Sequence, residues 1–236
     1  MKFVTYLLLS IALLSVGTLA AAQTDHNHDH DHADQTPPQT PVLPTEGVYS
    51  ELSTDHVIGA PMAPVTMIIY ASLTCPHCAS WFNSVWLDIK KNYVDKSEVR
   101  VVLREFPTAP REIAVIGFQI ANCAPEDQYF AMLEHQFAEQ DNIFAALKAN
   151  KAKEKYLEIA KKAGLADETA MNACLREAGG IERINTSMLL SQAAGIKSVP
   201  SFIIDGQVYK GGMDYLALSK YLDNLSKRGY SAIPKR

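Results

Sequence analysis

Val65-Thr66-Met67-Ile68-Ile69-Tyr70-Ala71-Ser72-Leu73-Thr74-Cys75-Pro76-His77-Cys78 decides the architecture. Its first six residues form a β-branched-rich apolar run, bounded upstream by Pro61 and Pro64, and read as a buried strand. Its last four hand the strand over to a helix. Pro76 suits a first helical turn, where a missing N–H costs little. The helix runs to about Tyr93, with Trp81, Val85, Ile89 and Tyr93 on one face. Val99-Arg100-Val101-Val102-Leu103-Arg104 is the next strand, stopped at Pro107. Strand, helix and strand in that order predict a parallel pair with a right-handed crossover.

Residues 110–195 carry almost no strand signal. Helices are predicted near 110–122, 126–138, 152–163, 167–178 and 180–194, with Gly164, Gly179 and Gly195 at helix ends. In the helix near 152–163, Ala152, Tyr156, Ile159 and Ala163 form the inward stripe, and the lysines and glutamates form a solvated face. Strand pattern returns with Ser201-Phe202-Ile203-Ile204. Asp205-Gly206 marks a hairpin turn, and Gln207-Val208-Tyr209-Lys210 follows as its second arm. A last helix, about Met213 to Lys227, turns Leu216, Tyr221 or Leu222, and Leu225 inward. The layout is an α/β fold, with a small mixed sheet, helices on both faces and an all-helical insertion.

The N-terminus reads as a targeting segment. Lys2 precedes the apolar stretch Phe3 to Val16, and Ala20-Ala21-Ala22 offers small residues for cleavage before Gln23. An uncleaved anchor is the alternative, but the stretch is short for a membrane span. Residues 23–46 are expected to be disordered: alternating His26, His28, His30 and His32, then a proline-rich linker. Those four imidazoles suit weak, adaptable binding of Zn²⁺, Cu²⁺ or Ni²⁺, and a plain solubilising tail is the alternative. With charged residues at 20% and a net charge of −4, no basic field of the kind nucleic acid requires is present.

The two cysteines of Cys75-Pro76-His77-Cys78 share a helical face, so their sulfurs can meet. Cys75 falls at the helix N-terminus, where unpaired N–H groups and the dipole stabilise a thiolate; protonated His77 adds positive charge. All these effects lower the Cys75 pKa and make the disulfide a strong oxidant. Half of a tetrahedral metal site is a rival reading, as is a plain structural disulfide. The first lacks a second close ligand pair among Cys123, Cys174, His56 and His135. The second gains little from closing a four-residue loop.

Four segments together resemble the DsbA-like branch of the thioredoxin superfamily, the bacterial periplasmic thiol:disulfide oxidoreductases. They are Cys75-Pro76-His77-Cys78 after a strand, Arg104-Glu105-Phe106-Pro107 after the next, Tyr129-Phe130 with His135 and Phe137 in the insertion, and Val199-Pro200-Ser201-Phe202 before the hairpin. The resemblance spans about residues 50–228 and implies a thioredoxin-like domain (47–109 and 196–236) split by a helical insertion (110–195). It implies that Val199-Pro200 is a cis peptide facing the dithiol, with the Val199 backbone free to pair with an extended substrate. It also implies membrane quinone-linked reoxidation and no organic cofactor. Many relatives carry a buried acid in the strand before the dithiol; residues 67–74 have none. Proton transfer from Cys78 is then left to water, Glu105 or another group. Glu105 itself is expected to be a solvated strand-end carboxylate, and His135 a helix-packing histidine with its ring satisfied.

Cys123 and Cys174, near the end of one predicted helix and within another, are expected to pair as a structural disulfide in an oxidising compartment. Two buried, reduced cysteines are the alternative. The functional expectation is a monomeric periplasmic dithiol oxidase acting on unfolded exported proteins with free cysteines. A reductase or isomerase is the nearest rival, although residues 23–46 are too polar to form a dimerisation stalk. A metal-handling protein using the histidine tract is the rival from another class.

Overall fold

The computed structural model describes residues 43–232. The expected signal segment (1–22), the His26, His28, His30 and His32 tract, and all but the end of the proline-rich stretch lie outside them. Among the described residues, β1 (His56–Ile58), β2 (Val65–Ala71), β3 (Val99–Glu105), β4 (Ser201–Ile204) and β5 (Gln207–Val208) form one mixed sheet. Its order is β1-β3-β2-β4-β5. β2 and β3 pair in parallel, with Val65 opposite Val99 and Ala71 opposite Glu105; the other three pairings are antiparallel. β1, at three residues too short to show alternation, was not anticipated. The hairpin turn has positive φ at both Asp205 and Gly206, which matches the right-handed twist of the strands it joins.

Alternation along β2 and β3 divides the core between two faces. Val65, Met67, Ile69 and Ala71 join Val99, Val101 and Leu103 in a large apolar cluster with Trp86, Phe118, Phe137 and leucines of the last helix. Ile68, Tyr70, Val102 and Ile203 form a smaller cluster with Ile196. Each fully buried aliphatic side chain contributes about 1.5–3 kcal/mol relative to exposure.

The helix after β2 departs from a regular 3.6-residue path. α1 (Pro76–Trp81) passes into a π-helical segment, Phe82–Trp86, then α2 (Leu87–Ile89) and a second π-helical segment, Lys90–Val94. The wider turns shift the phase of the buried stripe. Phe82 and Trp86 therefore reach the core beside Trp81, Ile89 and Tyr93, while Val85 is only half-buried.

The inserted region contains α3 (Arg111–Asn122), α4 (Tyr129–Ala138), α5 (Gln140–Lys148), α6 (Ala152–Lys162), α7 (Glu168–Cys174) and α8 (Ala178–Ala193). α5 was not anticipated, because only Glu139 separates it from α4 and no glycine or proline marks the break. α7 stops at Cys174, short of the expected 178. Gly164 and Gly195 follow α6 and α8 in left-handed conformation. Beyond them, Leu165 N–H returns to Ala160 O and Ile196 N–H to Ser191 O, the hydrogen bonds of a Schellman stop.

α9 (Tyr215–Ala232) corrects one expectation. Leu216 is 76% exposed, and the inward stripe is Leu218, Leu222 and Leu225. At 3.6 residues per turn Leu216 lies about 200° around the helix from Leu218, so it faces solvent while Leu218, Leu222 and Leu225 face the core. Cys123, which caps α3, is bonded to Cys174 at the end of α7, with a Cα–Cα distance of 6.0 Å. Among the described residues no helix is long and apolar enough to cross a membrane.

Candidate active site

Cys75 is the N-cap of α1, in extended conformation (φ −88°, ψ 117°), and Pro76 occupies the first helical turn. The N–H groups that the first turn leaves without intrahelical partners lie at this end, where the helix dipole favours an anion. Cys75 Sγ is 3.5 Å from Val199 O, and the Val199–Pro200 peptide is cis. The dithiol and the Val199–Pro200 loop are thus brought together across 124 residues of sequence. Cys75 and Cys78 are both free thiols.

The two sulfurs differ in surroundings. Cys75 retains 9% exposure and Cys78 none, so an incoming macromolecule can reach only the first. Burial pushes the Cys78 thiol well above the ordinary cysteine range; a hydrogen bond from Ser72 N–H at 3.5 Å opposes this, and the Cys75 sulfur reinforces it. Cys78 is placed to act on a partner already attached to Cys75, while its raised pKa makes it a slower leaving group when Cys75 is attacked, so its departure is helped by protonation.

Where many relatives are expected to place a buried acid, a hydroxyl cluster is found. Ser72 Oγ accepts from Thr108 N–H at 3.0 Å and from Thr108 Oγ1 at 2.9 Å, and lies 3.0 Å from Thr74 Oγ1. Thr74 Oγ1 also donates to Thr108 O at 2.9 Å. A second tie comes from the insertion: Gln140 Nε2 donates to Leu73 O at 2.8 Å and to Cys75 O at 3.2 Å. Neither Thr108 nor Gln140 was singled out from the sequence, because no local spacing connects them to the dithiol.

His77 is exposed and borders a groove of about 260 Å³ with Trp81, Val85, Pro200 and Met213. The groove floor is fixed by Trp81, whose Nε1 donates to Met213 O at 2.8 Å. The Trp81 ring packs on Phe202 at 5.0 Å and on Trp86 at 6.3 Å between centroids. A second groove, about 240 Å³, borders Pro76, Asn83, Phe137, Gln140 and Asp141.

Two expectations are corrected. Glu105 is not solvated: it is 1% exposed, accepts from Tyr129 Oη at 3.1 Å, and has Arg183 Nε at 4.0 Å. Burial raises its pKa to about 7, with its own backbone N–H and Arg183 partly opposing the shift. His135 does pack in α4, half-buried, but its Nε2 is buried without a hydrogen-bond partner, and burial lowers its pKa. Among the described residues no three His, Cys, Asp or Glu side chains converge on a metal-sized site. The half-site reading of Cys75 and Cys78 therefore finds no further ligands there.

Comparison with known proteins accords with this geometry. The thioredoxin family model matches residues 51–224. A Rickettsia prowazekii protein, provisionally named a protein-disulfide oxidoreductase, is 26% identical over 191 residues, covering 79% of this chain and 68% of its own. The crystal structure of Wolbachia pipientis alpha-DsbA1 superposes with a TM-score of 0.67 at 24% identity, covering 77% of this chain and 95% of that one. That of oxidised BdbD from Bacillus subtilis gives 0.63 at 17% identity, covering 75% and 95%. With a family match across most of its length, a Cys-Pro-His-Cys helix start and a helical insertion, the chain belongs to the thioredoxin family and has the fold of its DsbA-like thiol:disulfide oxidoreductases.

Proposed function

We propose that this protein is a thiol:disulfide oxidoreductase working in the oxidising direction on exported proteins in the periplasm. The observation that carries the exchange chemistry is the asymmetry of the dithiol, with Cys75 at the surface end of α1, 3.5 Å from Val199 O, and Cys78 wholly buried; the oxidising direction rests on the Pro76-His77 dipeptide, which resembles that of the oxidases. A substrate thiolate attacks Cys75 Sγ of the disulfide form, and the Cys78 sulfur leaves and takes up a proton. A second substrate thiolate then attacks the substrate sulfur of the mixed disulfide and releases Cys75 as thiolate. Two electrons pass from the substrate dithiol to the enzyme; of the two protons the substrate thiols lose, one ends on Cys78 and the other goes to solvent, because Cys75 is left as thiolate. An extended chain would lie along Val199 and the groove beside His77. The active protein needs no organic cofactor, works as a monomer, and is reoxidised by a quinone-linked membrane partner.

The test is equilibration of the purified protein with glutathione, together with oxidation of a reduced two-cysteine peptide. A potential near the DsbA value of about −120 mV supports the reading, and one near the thioredoxin value of about −270 mV overturns the oxidising direction.

A further inference from the structure

We propose that Gln140 is a positioning residue for the reactive sulfur, through which the helical insertion sets the geometry of Cys75. Gln140 is the first residue of α5 and is buried. Its amide nitrogen carries two hydrogens, and they meet two carbonyls: Leu73 O at 2.8 Å and Cys75 O at 3.2 Å. These carbonyls bracket Thr74, in the turn where β2 gives way to α1. Cys75 O also receives Ala79 N–H at 3.1 Å, the opening hydrogen bond of the helix. Gln140 therefore adds a second donor to the carbonyl of the reactive cysteine itself.

The turn is held from two directions. Thr108 grips Ser72 and Thr74 through hydroxyl bonds, and Gln140 grips the peptide groups of Leu73 and Cys75. Without Gln140, Leu73 O becomes a buried acceptor lacking this donor, and the turn relaxes to find another. The Cys75 peptide then rotates, and its sulfur shifts from its place at the positive end of the helix, 3.5 Å from Val199 O. The positive end of the Gln140 amide also offsets the dipoles of the Leu73 and Cys75 carbonyls, in the turn that carries the sulfur. Both effects favour the Cys75 thiolate, so losing them weakens the disulfide as an oxidant.

This rests on the reading that Cys75 is the reacting sulfur. The test compares Gln140→Leu and Gln140→Glu in the whole protein by thiolate ultraviolet titration and by equilibrium with glutathione. Gln140→Leu is expected to raise the Cys75 thiolate pKa and to shift the equilibrium constant about tenfold toward the oxidised enzyme, close to 30 mV for a two-electron couple. Gln140→Glu keeps the size. Protonated, it donates one bond; ionised, it turns a negative oxygen toward both carbonyls. Asp141 is the other titratable side chain bordering this groove. The Glu variant should therefore follow the parent at acid pH and depart from it as the new carboxyl ionises. Parent-like thiolate pKa and equilibrium in a folded Leu variant would overturn the proposal. If the Leu variant does not fold, a Glu variant matching the parent at all pH values overturns it instead. The thiolate titration needs no substrate, so it stands apart from the direction of electron flow.

Discussion

Arg104 Nη2 and Asp55 Oδ2 meet at 2.9 Å, with the arginine side chain excluded from water and the aspartate nearly so. The same guanidinium donates to Tyr70 Oη at 3.1 Å and to Ser50 O at 2.7 Å, so β2, β3 and the segment before β1 converge on one buried charge. Asp55→Asn removes the compensating charge and leaves the cation behind, which typically costs about 3–5 kcal/mol. Urea unfolding should show that loss as a lower midpoint, and a variant as stable as the parent would contradict it.

Gly117 of α3 packs against Gln136 of α4 and Leu73 of the active-site turn. A methyl group there would lie 2.5 Å from Gln136 Oε1 and 2.8 Å from Leu73 Cδ1. Gln136 Nε2 already donates to Gly117 O, so it cannot swing aside freely. Gly117→Ala is expected to destabilise by about 1–3 kcal/mol despite its better helix propensity. Thermal unfolding checks this: a raised Tm would mean that the helices part at little cost.

Glu105 and His56 are linked through Tyr129, which donates to the carboxylate and stacks on the imidazole with centroids 3.7 Å apart. Burial, then Arg183, lowers the His56 pKa to about 4, against about 7 for Glu105. The raised carboxyl binds an extra proton in the native state, so its effect on stability falls as pH rises from about 4.5 to about 7. The depressed imidazole lacks a proton that the unfolded chain holds, so its effect rises from about pH 4 to about pH 6.5. Between about 4.5 and 6.5 the two slopes cancel. Glu105→Gln removes only the falling slope. Stability of that variant should climb with pH to about 6.5 and exceed the parent above pH 7, by up to about 3 kcal/mol. Parallel urea-unfolding profiles across this range would refute the assignment.

Removing the Cys123–Cys174 bond, by Cys123→Ala with Cys174→Ala, opens a loop of 51 residues. The loss in the chain-entropy model is up to about 4 kcal/mol. Peptide oxidation through Cys75 should persist below the lowered melting temperature. Abolished oxidation in a variant still folded by circular dichroism would show that this bond acts on the dithiol.

Cys78→Ser should leave Cys75 able to form mixed disulfides with no internal sulfur to displace them. Mass spectrometry after exposure to oxidised glutathione should find one adduct, at Cys75, and peptide oxidation should fall to background. Cys75→Ser should give no adduct at Cys78, which has no exposed surface.

The strand–turn–helix around Cys75 was legible because every signal there is local: a β-branched run, a proline, and two cysteines three apart. The alternation of β3 also carries the position of Glu105. Val99, Val101 and Leu103 point into the large cluster, and a period of two carries Glu105 inward with them. Its polarity argued for solvent, but Tyr129 and Arg183, far along the chain, complete its pocket. Gln140 left no trace at all. A single buried amide has no periodicity, and its partners lie 65 and 67 residues away. Leu216 differs for another reason: its phase in the 3.6-residue period sets it opposite Leu218, Leu222 and Leu225, which the sequence alone already contains.

The chain holds two tryptophans, Trp81 and Trp86, and both sit on the helix that begins with the dithiol. Their rings are within 6.3 Å of each other, and Trp81 lies one helical turn beyond Cys78. Disulfides quench nearby indole emission, so the molecule carries its own optical gauge of redox state. Oxidation and reduction can be followed in real time without a dye, and Trp81→Phe and Trp86→Phe would apportion the signal between the two rings.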